Sequence, residues 1–213
     1  MAERAPLTIL LTGFGPFPGG EVNASAELVR RLAGAMRRRF ADCRVATAVL
    51  PTEWEKAPAR LAELFARHEP DIVLHFGVSD RAEGFEIETR ARNACVLLPD
   101  AVGAMPLSGK IDERGPQFHR ATVPAKAIVR RLQALGIPAA VSDDAGAYLC
   151  NSVLYRSVAL GRAAGCISGF VHIPTGLAGA GPQRREPKPG CPMDWASALR
   201  GGVGIVAVCV AGA

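Results

Sequence analysis

The feature that most constrains this chain is an alternation of short β-type runs with helix-length segments whose apolar residues recur three and four apart. Residues 7–12, 44–50, 71–76, 139–142 and 165–173 read as strands, and residues 24–40, 54–67, 124–135 and 147–160 as amphipathic helices. A last helix over about 193–208 is weakened by Gly201, Gly202 and Gly204. Such alternation predicts an α/β domain, here a single one over residues 1–213, with a mostly parallel twisted sheet covered on both faces. Residues 84–98 break the pattern: Phe85, Ile87, Thr89 and Ala91 alternate with Glu86, Glu88, Arg90 and Arg92, which predicts an antiparallel excursion with one wet or functional face. Residues 181–192, rich in Pro, Gly and charge, read as a mobile loop.

Composition narrows the function classes. With 49% hydrophobic and 21% charged residues, the chain has the balance of a folded domain. Its net charge of +5 comes mainly from Arg scattered along candidate helices, and Arg37, Arg38 and Arg39 close one of them, where cations complement the helix dipole. No aromatic-rich basic motif accompanies the charge, so no nucleic-acid partner is expected. The first apolar run, residues 7–11, is too short for a signal peptide, and residues 203–213 fall short of the roughly 20 needed to cross a bilayer. A cytoplasmic chain with no membrane partner is the expectation. Six cysteines form no C-x-x-C pair, which argues against zinc-ribbon and thioredoxin chemistry and for reduced, buried thiols.

One of these cysteines, Cys150, follows a strand and the polar turn Ser142-Asp143-Asp144 and opens a helical pattern. Helix-terminal amides and the helix dipole stabilise negative charge, which suits a thiolate nucleophile. On spacing alone a buried structural cysteine is the commoner outcome. A thiol also needs a base, and His172 ends a strand 22 residues later, at the sheet edge where ligands gather in parallel α/β folds. A right-handed return from helix to strand would bring the two together. His75, also on an apolar strand, is the competitor, while His68 and His119 read as solvent-facing. Glu83, Glu86 and Glu88 offer a third member, but alternation alone describes a solvated strand face and does not choose among them.

Four blocks resemble the pyroglutamyl peptidase I family of cysteine peptidases. They are Thr12-Gly13-Phe14-Gly15-Pro16-Phe17 with Gly19, Gly20, Asn23 and Ser25; Pro70-Asp71-Ile72-Val73-Leu74-His75-Phe76-Gly77 with Arg81 and Glu88; Ala145-Gly146 and Tyr148-Leu149-Cys150-Asn151 with Tyr155; and Gly169-Phe170-Val171-His172-Ile173-Pro174. The resemblance implies a single-domain α/β/α sandwich and a Cys150–His172–Glu88 triad that forms a thioester while removing an N-terminal pyroglutamyl residue. It also implies no metal or organic cofactor, and self-association, commonly as a tetramer. Phe14 and Phe17 would flank the lactam ring, with Phe170, Val171, Val78 and Leu98 completing the substrate site. Two departures stand out: Val78 occupies a position where many bacterial members carry a pocket glutamine, and Leu97 replaces an arginine of the family's Arg-Ile-Pro-Asp. Arg90 and Arg92 are the residues expected to compensate for that lost cation. The alternative these departures favour is a related hydrolase acting on another blocked N-terminus or small amide. A dinucleotide loop at Gly13-Phe14-Gly15 is opposed by Pro16 and Pro18 and by the lack of an acid after Val49-Leu50.

Overall fold

The computed structural model describes residues 5–17, 22–178 and 186–213. Gly19 and Gly20 lie outside these, as does the expected 181–192 loop up to residue 185. The elements run β1 (Thr8–Phe14), α1 (Ala24–Arg39), β2 (Arg44–Leu50), α2 (Lys56–His68), β3 (Ile72–Ser79), β4 (Phe85–Glu88), β5 (Arg90–Arg92), β6 (Phe118–Arg120), α3 (Ala125–Ala134), β7 (Ala139–Ser142), α4 (Leu149–Gly161), β8 (Ile167–Pro174) and α5 (Trp195–Val210).

One sheet has the order β2-β1-β3-β8-β4-β7, and β5 pairs with β6 in a separate antiparallel ribbon. The central strands β1, β3 and β8 are buried along almost their whole length, which is why they read as continuous apolar runs. Their two faces feed two cores. On one face Ile9, Leu11, Leu74, Phe76 and Val171 meet α1, α3 and α5; on the other Leu10, Val73 and Phe170 meet α2 and α4. The result is a three-layer α/β/α arrangement.

The antiparallel excursion is β4, which runs opposite to β8 and parallel to β7. The strand that leads toward Cys150 is therefore also antiparallel to β8, so a simple parallel return is not what joins the two halves of the site. Instead residues 143–148 carry the chain from the end of β7 to the start of α4. The glycines expected to weaken the last helix do not break it. A Cβ at Gly201 would lie 2.3 Å from the Phe85 ring and one at Gly202 2.8 Å from Leu32, so close packing against the sheet and α1 outweighs their poor propensity. Asp194 caps that helix through Ser197 N–H. His119 also departs from its solvent-facing expectation: on β6 it is 7% exposed, its ring 4.4 Å from that of Tyr155.

Candidate active site

The site lies where β3 and β8 end beneath the start of α4. Cys150 is the second residue of that helix, whose cap, Tyr148, makes no side-chain capping bond. The first-turn amides are thus left to solvent or to a bound oxygen. Asn151 does not face the site. Its Oδ1 accepts Arg92 N–H and its Nδ2 donates to the carbonyls of Arg92 and Ala94, locking α4 to the chain that leaves β4.

On the sheet side, Gly77 pairs with His172 in the register of β3 and β8. A Cβ at Gly77 would sit 3.0 Å from the Cys150 sulfur and 2.6 Å from the Phe170 ring. Only glycine lets the sulfur come down onto the strand here. His172 Nδ1 is 2.8 Å from Glu88 Oε1, and the Cys150 side chain lines the same cavity as the imidazole and acts on its charge. Glu88 is fully buried with no charged partner but this histidine, and its Oε2 is unpaired among the described residues. Burial pulls the imidazole toward its neutral form, but hydrogen bonds and charge from Cys150 and Glu88 outweigh this and raise His172 to about 10. The three side chains are thus gathered into a thiol–imidazole–carboxylate array, with the imidazole bonded to the carboxylate and the thiol on the same cavity wall.

Two cavities meet at the sulfur. The smaller, about 150 Å³, is walled by Phe14, Phe17, Val78, Thr52 and Tyr148; the larger, about 470 Å³, includes His172, Glu86, Asp80, Arg81 and Asp144. The opening block of the sequence fixes the smaller one. Asn23 and Thr52 both donate to the Gly15 carbonyl, and Ser25 Oγ accepts Phe14 N–H, so the loop after β1 is pinned to the start of α1 with Phe14 directed inward.

Not every residue expected at the substrate site is brought to it. Val171 lies on the opposite face of β8 from Phe170 and His172, in the core beneath α1 and α5, because side chains alternate along a strand. Phe170 is fully buried beneath the cavity floor, 6.2 Å from Phe14 and 4.9 Å from His172 between ring centroids. Leu98 is 53% exposed and lines neither cavity; its carbonyl accepts the Trp54 indole N–H, while Asp100 accepts three backbone N–H groups and holds the turn. Arg90 and Arg92 are bound to Asp143 and Asp144 at 3.1 and 2.7 Å and line neither cavity. Strand pairing with the main sheet ends at Glu88, so these arginines follow β5 and β6 rather than the Glu88 face. His75 remains two residues short of the sulfur, with Thr12 as its partner.

Glu86 is one of the three acids the sequence offers, without a role of its own there. It pairs with His172 across β4 and β8 and lines the larger cavity, and the signal was its position two residues from Glu88 on the same strand face. Among the described residues Glu86, Glu88 and His172 form the one group whose ligand atoms lie close enough to share a metal ion, within 4.8 Å. Glu88 already engages the imidazole nitrogen in that group, so an ion there would compete with the array.

Comparison with known proteins agrees with this geometry. The family model for pyroglutamyl peptidase matches residues 7–197. A pyrrolidone-carboxylate peptidase of Gloeobacter violaceus is 38% identical over 79% of this chain and 82% of its own length, and one of Pyrococcus furiosus is 34% identical over 79% and 81%. Among solved structures, pyroglutamyl peptidase I of Bacillus amyloliquefaciens superposes with a TM-score of 0.81 at 30% identity, covering 97% of this chain and 98% of that one. A pyrrolidone carboxyl peptidase mutant from Pyrococcus furiosus gives 0.83 at 29%, covering 96% and 98%. The chain belongs to the pyroglutamyl peptidase family of cysteine peptidases.

Proposed function

We propose that this chain removes an N-terminal pyroglutamyl residue from peptides, with Cys150 as nucleophile, His172 as proton carrier and Glu88 as its orienting carboxylate. The observation that carries the reading is the thiol–imidazole–carboxylate array opening onto a small cavity with phenylalanine walls, suited to a flat uncharged ring. The Cys150 thiolate attacks the carbonyl after the lactam, and the uncapped helix-start amides would receive the oxyanion. The amine leaves with the proton from His172, giving a thioester. Water, deprotonated by His172, then releases pyroglutamate and the thiol. Glu88 keeps the imidazole in one tautomer throughout. Val78 brings no polar group, and the polar side chains at this cavity's wall are those of Asn23, Thr52, Asp80, Tyr148 and Thr175.

Hydrolysis of a fluorogenic pyroglutamyl amide under reducing conditions tests this reading, with activity expected in the native chain and none in Cys150→Ser. An inactive native chain whose Cys150 still reacts rapidly with iodoacetamide would instead assign the site to another blocked N-terminus.

Two further readings accompany this one. Among the described residues no helix is long and apolar enough to cross a membrane, and all six cysteines are free, which fits a reducing, cytoplasmic setting. Self-association is supported by the exposed side chains of Leu97, Leu98, Val102, Met105 and Leu107 on the segment after β5. Sedimentation of the intact chain reads it directly, and a monomer at micromolar concentration would remove it.

A further inference from the structure

The two cavities at Cys150 differ in chemistry as well as size. The sulfur lines both, whereas His172 lines only the larger. A histidine that hands its proton to the departing amine must stand on the side where that amine leaves. The larger cavity therefore receives the residue that follows the scissile bond, an assignment that rests on the pyroglutamyl peptidase reading above.

The walls of that cavity carry Asp80, Glu86 and Asp144 against two cationic groups, Arg81 and the His172 imidazole, and the second of these is already engaged by Glu88. Asp144 is already held by Arg92 at 2.7 Å. Glu86 is half-buried, stands opposite His172 in the strand register, and has no ion-pair partner among the described residues. Burial, with Glu88 and Glu83 adding to it, pushes the Glu86 carboxyl up, while His172 and Arg81 pull it down and lose. With the His172 charge matched by Glu88, a carboxylate in that position keeps an excess of negative charge around it, which an incoming ammonium or guanidinium group would offset. An incoming carboxylate would meet the same field with the opposite sign.

We infer that the cleft on the His172 side of Cys150 selects peptides whose second residue bears a cationic side chain, with Glu86 as the main specificity determinant and Arg81 opposing it. Both residues act through charge at a partly solvated wall, so the preference weakens with salt.

The test compares kcat/KM for three substrates on one enzyme: the amides of pyroglutamyl-lysine, pyroglutamyl-glutamine and pyroglutamyl-glutamate. At low ionic strength the lysine substrate should be preferred over the glutamate one by about tenfold or more, falling toward equality in high salt. Glu86→Gln should shrink the ratio to about twofold, and Arg81→Ala should widen it. Because each ratio is taken within one enzyme, any effect of a substitution on His172 itself cancels. A ratio near one in the native chain, with the glutamine substrate cleaved, overturns this inference alone, as does a ratio that neither substitution moves. Failure to cleave any of the three overturns the pyroglutamyl reading and the inference with it.

Discussion

His75 and His172 lie on neighbouring strands of one sheet face, offset by a single two-residue step, and both are buried. They are held in opposite charge states. Around His75 the polar contact is the uncharged Thr12 hydroxyl, 2.6 Å from Nδ1, while Nε2 has no partner among the described residues and Phe170 covers the ring. Burial there acts almost alone and takes the imidazole down to about 3. Around His172, Glu88 and Cys150 reverse the same burial penalty. The comparison teaches that depth does not set the state of a buried histidine; the charge of what touches it does. It also explains why two histidines on apolar strands, alike in sequence, differ in chemistry.

The largest expected effect separates the two by function. His172→Ala should lower turnover of a pyroglutamyl amide by on the order of a thousandfold or more with the fold retained by circular dichroism, whereas His75→Leu should stay within a few fold. Equal losses would abolish the distinction. Next in size is Glu88→Gln, expected to lower kcat/KM on the order of a hundredfold. Its pH profile carries more information than its rate. The folded pKa of His172 is raised, so its charge is fully present below the unfolded value near 6.5 and lost as pH rises toward about 10. Removing the Glu88 charge should bring the alkaline limb to lower pH, toward the value burial alone would set. An unmoved limb with a lowered rate would show that Glu88 supplies orientation and not charge.

Much of this contrast was legible in the residues, though unevenly. The main-sheet strands and the helices appear within about two or three residues of where periodicity puts them, because β3 and β8 are buried along nearly their whole length and α2 and α3 each bury one stripe. By contrast β6 carries no readable pattern, and the excursion expected over 84–98 ends as strand at Arg92. Cys150 and His172 stand out because helix starts and strand ends are chemically distinctive places. Glu88 does not, since three acids share its segment and only its contact with His172 singles it out. The direction of β7 was unreadable: four residues flanked by turns carry no sign of which way they pair. Val171 was readable and misassigned, because strand parity alone sends it to the face away from His172. Leu98 depended on a loop whose path is set by Asp100 and Trp54, contacts 46 residues apart in sequence that no local pattern encodes.

Two smaller effects sharpen the comparison from the His75 side. Its folded pKa is depressed, so the native chain keeps its full stability above pH 6.5 and loses it as pH falls from there toward about 3, because only the unfolded chain takes up the proton. His75→Leu removes that proton uptake. Between pH 6 and 4 the variant should gain on the native chain by roughly 1.4 kcal/mol per pH unit in urea unfolding. A constant difference across that range would mean that His75 is protonated when folded.

Thr12→Val is the smallest and most specific change. It keeps the shape of the side chain and deletes the only hydrogen-bond partner of the His75 ring among the described residues, leaving both ring nitrogens buried and unpaired. The expected cost is about 1 to 3 kcal/mol of stability, with kcat/KM within about twofold of native, since Thr12 lines neither cavity. In His75→Leu the Thr12 hydroxyl has already lost its partner, so adding Thr12→Val there should cost much less than it does in the native chain. Full additivity would show that the two side chains do not support each other. The neutral state of His75 would then rest on burial alone, which leaves Glu88 and Cys150 as the whole difference between the two histidines.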